Sequence, residues 1–517
     1  MGRHGIFRSS IPRRTSARSR AVAAVLASLI LVACATEGVP VTGKDPKGAD
    51  AAYGQSETSI STGFANGKYI VTVTYNDETN PGNTILYTST TRTIKSGASL
   101  MGWSYSLDRG KSWTYGGKVS PPSGWAVLWG DPAITTSDAH YRYVFIANLA
   151  IPSSKMPAAG ISGSVIISGA NSYIGGACIA RSTDGGITFA PHKCVSDTKK
   201  NNVPNSEKGH FYDGGSMATS RDGEVYAAFL DVTSDEIDVW RAPDENADFK
   251  LLSSPFPNLA IYSHPRLRVN WANGALYVAA TATNNVVFIN RYYNGQWGTP
   301  VAASDAIEHY PCVDFDPNGC NVSGKLYLRT GPQFSFDIGA ASNDEGTDAI
   351  RFLYTRRDPE TKRLYVTGSF CPLSLQPGCW GAPEWGTTPG NLSTPGDQFS
   401  PTVAAWRGFF NLPPIWKTAY LDRDGSPYNT VTVKQGNLAY LPNGQRIYLP
   451  FSLIKDVPIC PDLRGYWGDY DDLEHIGFNE DSDAAEFLRT TTDSSLGCVY
   501  RWQYISNHQH IRGGVTS

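Results

Sequence analysis

The chain has 517 residues, a formal net charge of −3, and 51 Gly and 33 Pro beside only four Met. Thirteen Trp, 27 Tyr and 20 Phe complete a composition that argues against helix bundles and suits short strands joined by turns. A mildly acidic chain with no basic tract past its first residues is not built to bind nucleic acid.

The first segment is basic and then apolar. Arg3, Arg8, Arg13, Arg14, Arg18 and Arg20 precede an uncharged run, AVAAVLASLILVA, from Ala21 to Ala33. That run is too short to span a bilayer as a stable helix and has the layout of a secretory signal peptide. It ends in Leu31-Val32-Ala33-Cys34, which resembles the lipobox of bacterial lipoproteins. The resemblance implies cleavage before Cys34, acylation of that cysteine, and stable anchoring through two or more acyl chains. Ala35 follows where an aspartate would resemble an inner-membrane retention signal. The expected location is therefore outside the cytoplasm, on the outer membrane if the host is Gram-negative. Losing residues 1–33 removes the six arginines, which takes the formal charge from −3 to −9. Residues 34–61 are small and polar at their start and read as a flexible tether, leaving 62–517 as one folded domain.

Nine cysteines are present, and setting Cys34 aside leaves eight. An exported chain with an odd cysteine needs an explanation for it, and lipidation supplies one. Many pairings remain open. Short loops close most easily, which favours Cys178–Cys194, Cys312–Cys320, Cys371–Cys379 and Cys460–Cys498. No C-x-x-C pair occurs, and the histidines do not cluster near the cysteines, so zinc is disfavoured.

Along the body, β-type runs recur: Lys68–Tyr75, Tyr143–Ile146, Val225–Phe229, Leu276–Ala280, Lys325–Leu328 and Arg363–Val366. Each is rich in β-branched or aromatic residues and bounded by Gly, Asn, Asp or Pro. Several belong to a larger unit: a small or polar residue, an apolar residue, a turn and an apolar strand. Copies begin at Gly130-Asp131, Asp213, Ser263-His264, Tyr310, Ser400 and Gly468-Asp469. Six copies at this scale predict an all-β chain folded as a six-bladed β-propeller, with irregular spacing leaving the count open by one.

Two further segments share the pattern S-x-D-x-G-x-[ST]-[WF]. One contains Ser106, Asp108, Gly110 and Trp113; the other contains Ser182, Asp184, Gly186 and Phe189. In a tight turn the aspartate bonds amides, glycine accepts a positive φ, and the aromatic packs the hairpin. The pattern resembles the Asp-box of the sialidase superfamily, the BNR-repeat propellers. That resemblance implies a sialidase-like fold, with these boxes structural and peripheral to any active site.

In a propeller, residues at the starts of the inner strands converge from different blades. The candidates are Asp131, Asp213, His264, Arg266, Arg268, Glu308, Tyr310, Asp469 and Tyr470, a set suited to a polar or sugar ligand. Sialidases use three arginines to clamp the substrate carboxylate, an aspartate as acid/base and a glutamate-activated tyrosine as nucleophile. The resemblance therefore implies Tyr470 as nucleophile, Glu308 as its partner, Asp131 as acid/base and Arg266 or Arg268 in a clamp. The family's early Phe-Arg-Ile-Pro type segment is absent, and Arg501 is only a nominal third arginine. The chain departs from the sialidase pattern there. Trp380 and Trp385, in a Pro- and Gly-rich insertion at 371–396, are candidates for stacking on a sugar ring. A second, glycine-rich insertion spans 157–177. The acid-rich stretch Asp469–Glu486 has the oxygen donors calcium prefers, but its spacing matches no established loop and reads as a solvated face. Two function classes remain: a glycoside hydrolase for acidic sugars, or a propeller that binds a glycan or protein without chemistry. Fold alone does not separate them.

Overall fold

The computed structural model describes residues 39–41, 55–77, 85–87, 92–95, 99–153, 164–167, 176–196, 212–270, 272–304, 321–322, 326–327, 334–339, 349–357, 364–375, 398–406, 415–422, 430–440, 446–458, 472–478, 485–493 and 510–516. No α-helix occurs among them. The strands form antiparallel sheets, each made largely of consecutive segments of chain.

The first blade consists of Gln55–Ala65, Lys68–Asp77, Met101–Ser106 and Thr114–Lys118. The second contains Trp125–Thr136, Val144–Pro152, Gly176–Ser182 and Ala190–Val195. Tyr212–Thr219, Val225–Asp231, Glu236–Ala242 and Lys250–Leu251 make the third. The fourth is Arg266–Val269, Leu276–Thr281, Val287–Tyr293 and Gln296–Trp297, with Val301–Ala302 also paired to its third strand. The fifth runs Gln398–Trp406, Ile415–Asp422, Thr430–Tyr440 and Arg446–Pro458. The sixth comprises Asp472–Phe478, Ala485–Asp493 and His510–Thr516, and takes Val39–Pro40 as its outermost strand. Six sheets of the ring thus have four or five strands. A three-stranded sheet, Phe334–Gly339, Ala349–Arg357 and Leu364–Pro372, stands in the ring between the fourth and fifth. Each sheet's first strand is innermost and touches the first strand of its neighbours, and the sixth blade closes on the first. The chain is an all-β propeller.

Packing explains the strand sequences. Each blade is covered on both faces, so its middle strands are buried along most of their length, polar positions included. Val225–Asp231 is buried at every position. One core layer joins the second and third blades through Phe145, Ile179, Tyr212, Met217 and Phe229. Another joins the fourth blade to the three-stranded sheet through Tyr277, Ile289, Phe336 and Phe352. The seam between sixth and first blades is filled by Leu488, Ile60, Val73, Tyr75 and Val41.

That last residue changes the expected domain boundary. Val41 is fully buried, and Val39 and Pro40 pair with Gly513 and Arg512. The ring itself begins at Gln55. Part of the segment expected to be a flexible tether thus belongs to the folded body, because a short strand satisfies the outer edge of the last blade and brings the two ends of the ring together.

The repeat unit marks inner strands at 131, 213, 266 and 400 and falls just ahead of the strand that opens at Asp472. The copy at Tyr310 lies outside the described residues. Inner strands Gln55–Ala65 and Phe334–Gly339 carry no recognisable copy.

Cys178 and Cys194 are directly opposed on the outer strands of the second blade and form the expected disulfide. Cys371 is disulfide-bonded to a cysteine outside the described residues. The remaining expected pairings lie there too, as does Cys34.

Candidate functional site

Antiparallel pairing places the start of each inner strand beside the end of the next strand: Gln55 opposite Asp77, Tyr212 opposite Asp231. These ends define one face of the ring. The turns at Ala65–Lys68 and Ser106–Thr114 lie at the other.

On the first face, three blades bring Asp131, Asp213 and His264 together. Each offers one ligating atom, and those atoms all lie within 4.8 Å of one another. His264 Nε2 is 3.6 Å from Asp213 Oδ2. The Gly214 amide donates to Asp131 Oδ2 and to Asp213 Oδ1, each at 3.1 Å. All three side chains are half-buried, which leaves them reachable from solvent.

Local backbone irregularities create this convergence. The pairing of Trp125–Thr136 with its neighbour shifts register between Gly130 and Ala133, and Asp131 sits at φ +53°. An aspartate tolerates this left-handed conformation better than most residues, but it is held there by neighbours. Asn148 Oδ1 accepts the Gly130 amide at 3.0 Å, and Asn76 Oδ1 accepts the Asp131 amide at 2.9 Å. A second shift between Asp213 and Gly215 turns Asp213 toward the same point. Gly214 there has φ +51°, and a Cβ on it would lie 2.1 Å from the His264 ring. Bulges of this kind re-aim side chains at sheet ends.

Two carboxylates beside an imidazole accept hydrogen bonds from hydroxyl groups or ligate a divalent cation. Either ligand suits the donor set.

The candidate arginines have a different setting. Arg266 opens the inner strand of the fourth blade, two residues after His264, and is half-buried. Arg268 Nε donates to Asp337 Oδ1 at 3.2 Å, and its NH1 donates to the Leu267 carbonyl at 2.9 Å. Asp337 Oδ2 in turn accepts the Ala405 amide at 2.7 Å. Arg268 therefore fastens the fourth blade to the three-stranded sheet, and Asp337 extends that bond to the fifth blade. Sequence reading missed Asn76, Asn148 and Asp337. Asn76 stands near a strand end, Asn148 in mid-strand and Asp337 on an inner strand, and no local motif signals any of them. Glu308, Tyr310, Trp380, Trp385, Asp469, Tyr470 and Arg501 lie outside the described residues, as does half of the acid-rich stretch.

The two S-x-D-x-G-x-[ST]-[WF] turns have one hydrogen-bond pattern. Ser106 Oγ donates to Asp108 Oδ1 at 2.7 Å and accepts the Gly110 amide at 2.7 Å. Asp108 also takes the Ser112 amide at 2.8 Å. Ser182, Asp184, Gly186 and Thr188 repeat this arrangement. Trp113 Nε1 donates to the Gly110 carbonyl, and Phe189 packs edge-on against Trp103. Partial burial would raise both aspartates, but the hydrogen bonds from Ser112 or Thr188 and from the serine two residues earlier outweigh it, holding both carboxyls below their ordinary value. Both turns lie on the face away from Asp131.

No protein-family profile matches the chain, and no curated protein matches it. Among solved structures, the chain is similar to a sialidase of Trypanosoma rangeli bound to the inhibitor DANA: 11% identity, 76% of this chain and 57% of that one, TM-score 0.36. It is similar to an α-L-arabinofuranosidase of Fusarium graminearum: 11% identity, 93% and 98% covered, TM-score 0.42. It is also similar to the fucose-recognising six-bladed propeller lectin of Aleuria aurantia: 10% identity, 79% and 98% covered, TM-score 0.38. The chain thus spans little more than half the length of the sialidase. These likenesses go no further than the fold, and the propeller assignment stands on the ring of sheets itself.

Proposed function

We propose that this chain is an exported lipoprotein, held to a membrane through Cys34, whose propeller binds a carbohydrate at Asp131, Asp213 and His264. The convergence of those three side chains from three blades carries the reading. Two carboxylates accept hydrogen bonds from adjacent sugar hydroxyls, and an imidazole donates or accepts one as its tautomer requires. The half-buried setting excludes part of the competing water while leaving the groups accessible.

The donor set favours a neutral sugar over an acidic one. Two aspartates would repel a substrate carboxylate, and Arg268 is already bonded to Asp337. A clamp of three arginines would need that guanidinium free.

Hydrolysis is a second reading, with one observation behind it. Oxygens of Asp131 and Asp213 lie within 4.8 Å of one another, and a pair of neighbouring carboxyl groups is what retaining glycosidases use. In that mechanism one group, as the carboxylate, attacks the anomeric carbon while the other, as the carboxylic acid, protonates the leaving oxygen and then, as its carboxylate, takes a proton from the water that hydrolyses the glycosyl ester. A glycan array followed by calorimetry on the wild type and Asp213→Asn tests binding. Fluorogenic glycosides on the same proteins test turnover. Saturable binding lost in the variant without turnover supports a lectin-like role. Turnover lost in the variant supports the hydrolase. Binding or turnover untouched by Asp213→Asn moves the site elsewhere.

A further inference from the structure

We propose that the face opposite Asp131, Asp213 and His264 lies against the membrane, so that the polar centre points outward. This inference rests on the lipid-anchor reading and adds an orientation to it. Three observations point to the same face.

The first is reach. Cys34 and Val39 are separated by residues 35–38. Val39 already pairs with the sixth blade, and Val41 is fully buried. At about 3.5 Å per residue, that link spans no more than roughly 17 Å even when extended. An acylated Cys34 therefore keeps the sixth blade close to the lipid surface and prevents the propeller from standing off on a long tether.

The second is direction. The sixth blade's inner strand begins on the pocket face, and Asp472 is opposite Thr490. The following strand therefore ends on the pocket face, where Asp493 is opposite His510. From there His510–Thr516 runs away from that face. Val39 is opposite Gly513, and Pro40 is opposite Arg512. Moving from Val39 to Pro40 thus approaches the pocket face. Residues before Val39 leave in the opposite direction, toward the face with the S-x-D-x-G turns.

The third is surface chemistry. Four of the eight exposed large hydrophobic side chains among the described residues lie at that end of the first two blades: Phe64 (39%), Tyr69 (43%), Leu107 (49%) and Tyr141 (49%). Phe64 and Tyr69 pack edge-to-face at 5.1 Å, and the Phe64 amide donates to the Tyr141 carbonyl. Exposed Lys68 and Arg142 flank them. Aromatic side chains with adjacent cations suit the interface of a bilayer containing anionic lipid. The first blade is the direct neighbour of the anchored sixth. On the pocket face, Val232 is the matching exposed control, in the turn after Asp231.

The test uses purified acylated protein in vesicles of phosphatidylethanolamine and phosphatidylglycerol, with benzoylphenylalanine placed at Tyr69, Leu107 or Val232. After irradiation, lipid adducts are counted by mass spectrometry. At least tenfold more adduct at Tyr69 and Leu107 than at Val232 is the expected result. Equal labelling, a Val232 excess, or no adduct at any position overturns the orientation. Cys34→Ser separates the two claims. Release into the soluble fraction upholds the anchor, and the adduct pattern then judges orientation alone. Full membrane retention of Cys34→Ser overturns the anchor and the orientation built on it.

Discussion

The Gly214 amide bridges two blades by donating to Asp131 Oδ2 at 3.1 Å, while His264 crowds the space a side chain on Gly214 would need. Gly214 is therefore the pivot of the candidate site. Gly214→Ala should displace the His264 ring and strain a backbone at φ +51°. We expect a stability loss of about 1–3 kcal/mol and at least tenfold weaker sugar binding. Paired thermal unfolding and calorimetry check this. Unchanged affinity would remove His264 from the site.

Asp108 and Asp184 give the protein an acid-sensitive component. Each carboxyl is held below its ordinary value of 3.8 in the folded state. Such a group stabilises the fold fully above its unfolded value, and the contribution disappears as pH falls through the lower folded value. Urea midpoints should therefore fall on acidification below about pH 4, and the fall should be smaller in Asp184→Asn. Both sites are largely exposed, so the difference will be modest.

The inter-blade cores should respond far more strongly. Phe229 is fully buried and stacks on Tyr212 at 5.2 Å in the layer between second and third blades. Phe229→Ala is expected to cost about 3–5 kcal/mol by denaturant titration. A loss under 1 kcal/mol would mean the layer repacks freely, contrary to a close-packed seam.

Removing the Cys178–Cys194 bridge with a double serine variant should cost about 3 kcal/mol, given a sequence separation of 16. The double variant avoids leaving a free thiol. No change in unfolding midpoint would show that the hairpin register holds the outer strands without the bridge.

The sequence made some of this legible and hid the rest for physical reasons. Runs rich in β-branched and aromatic residues reveal the strands because both faces of each blade are buried. The two aspartate turns were visible because their hydrogen bonds are local, within six residues of Ser106 or Ser182. Asp131, Asp213 and His264 stand out by their places in the repeat. Their mutual approach was not readable, since it depends on bulges at Gly130 and Gly214 and on blade order. The tie of Arg268 to Asp337 crosses 69 residues, which no local pattern encodes. The strand at Val39–Pro40 escaped notice because two residues carry no periodicity, and its partner lies at the far end of the chain.

Carbohydrate binding by this propeller requires that Asp131 and Asp213 contact the sugar. Calorimetric titration of the mature protein with the strongest glycan found by array, repeated on Asp131→Asn/Asp213→Asn, measures this directly. Isosteric amides keep the size of both side chains while removing their charge. The prediction is saturable one-site binding by the wild type and at least a hundredfold weakening in the double variant, with both proteins folded by circular dichroism. Equal affinity in the two proteins would contradict it.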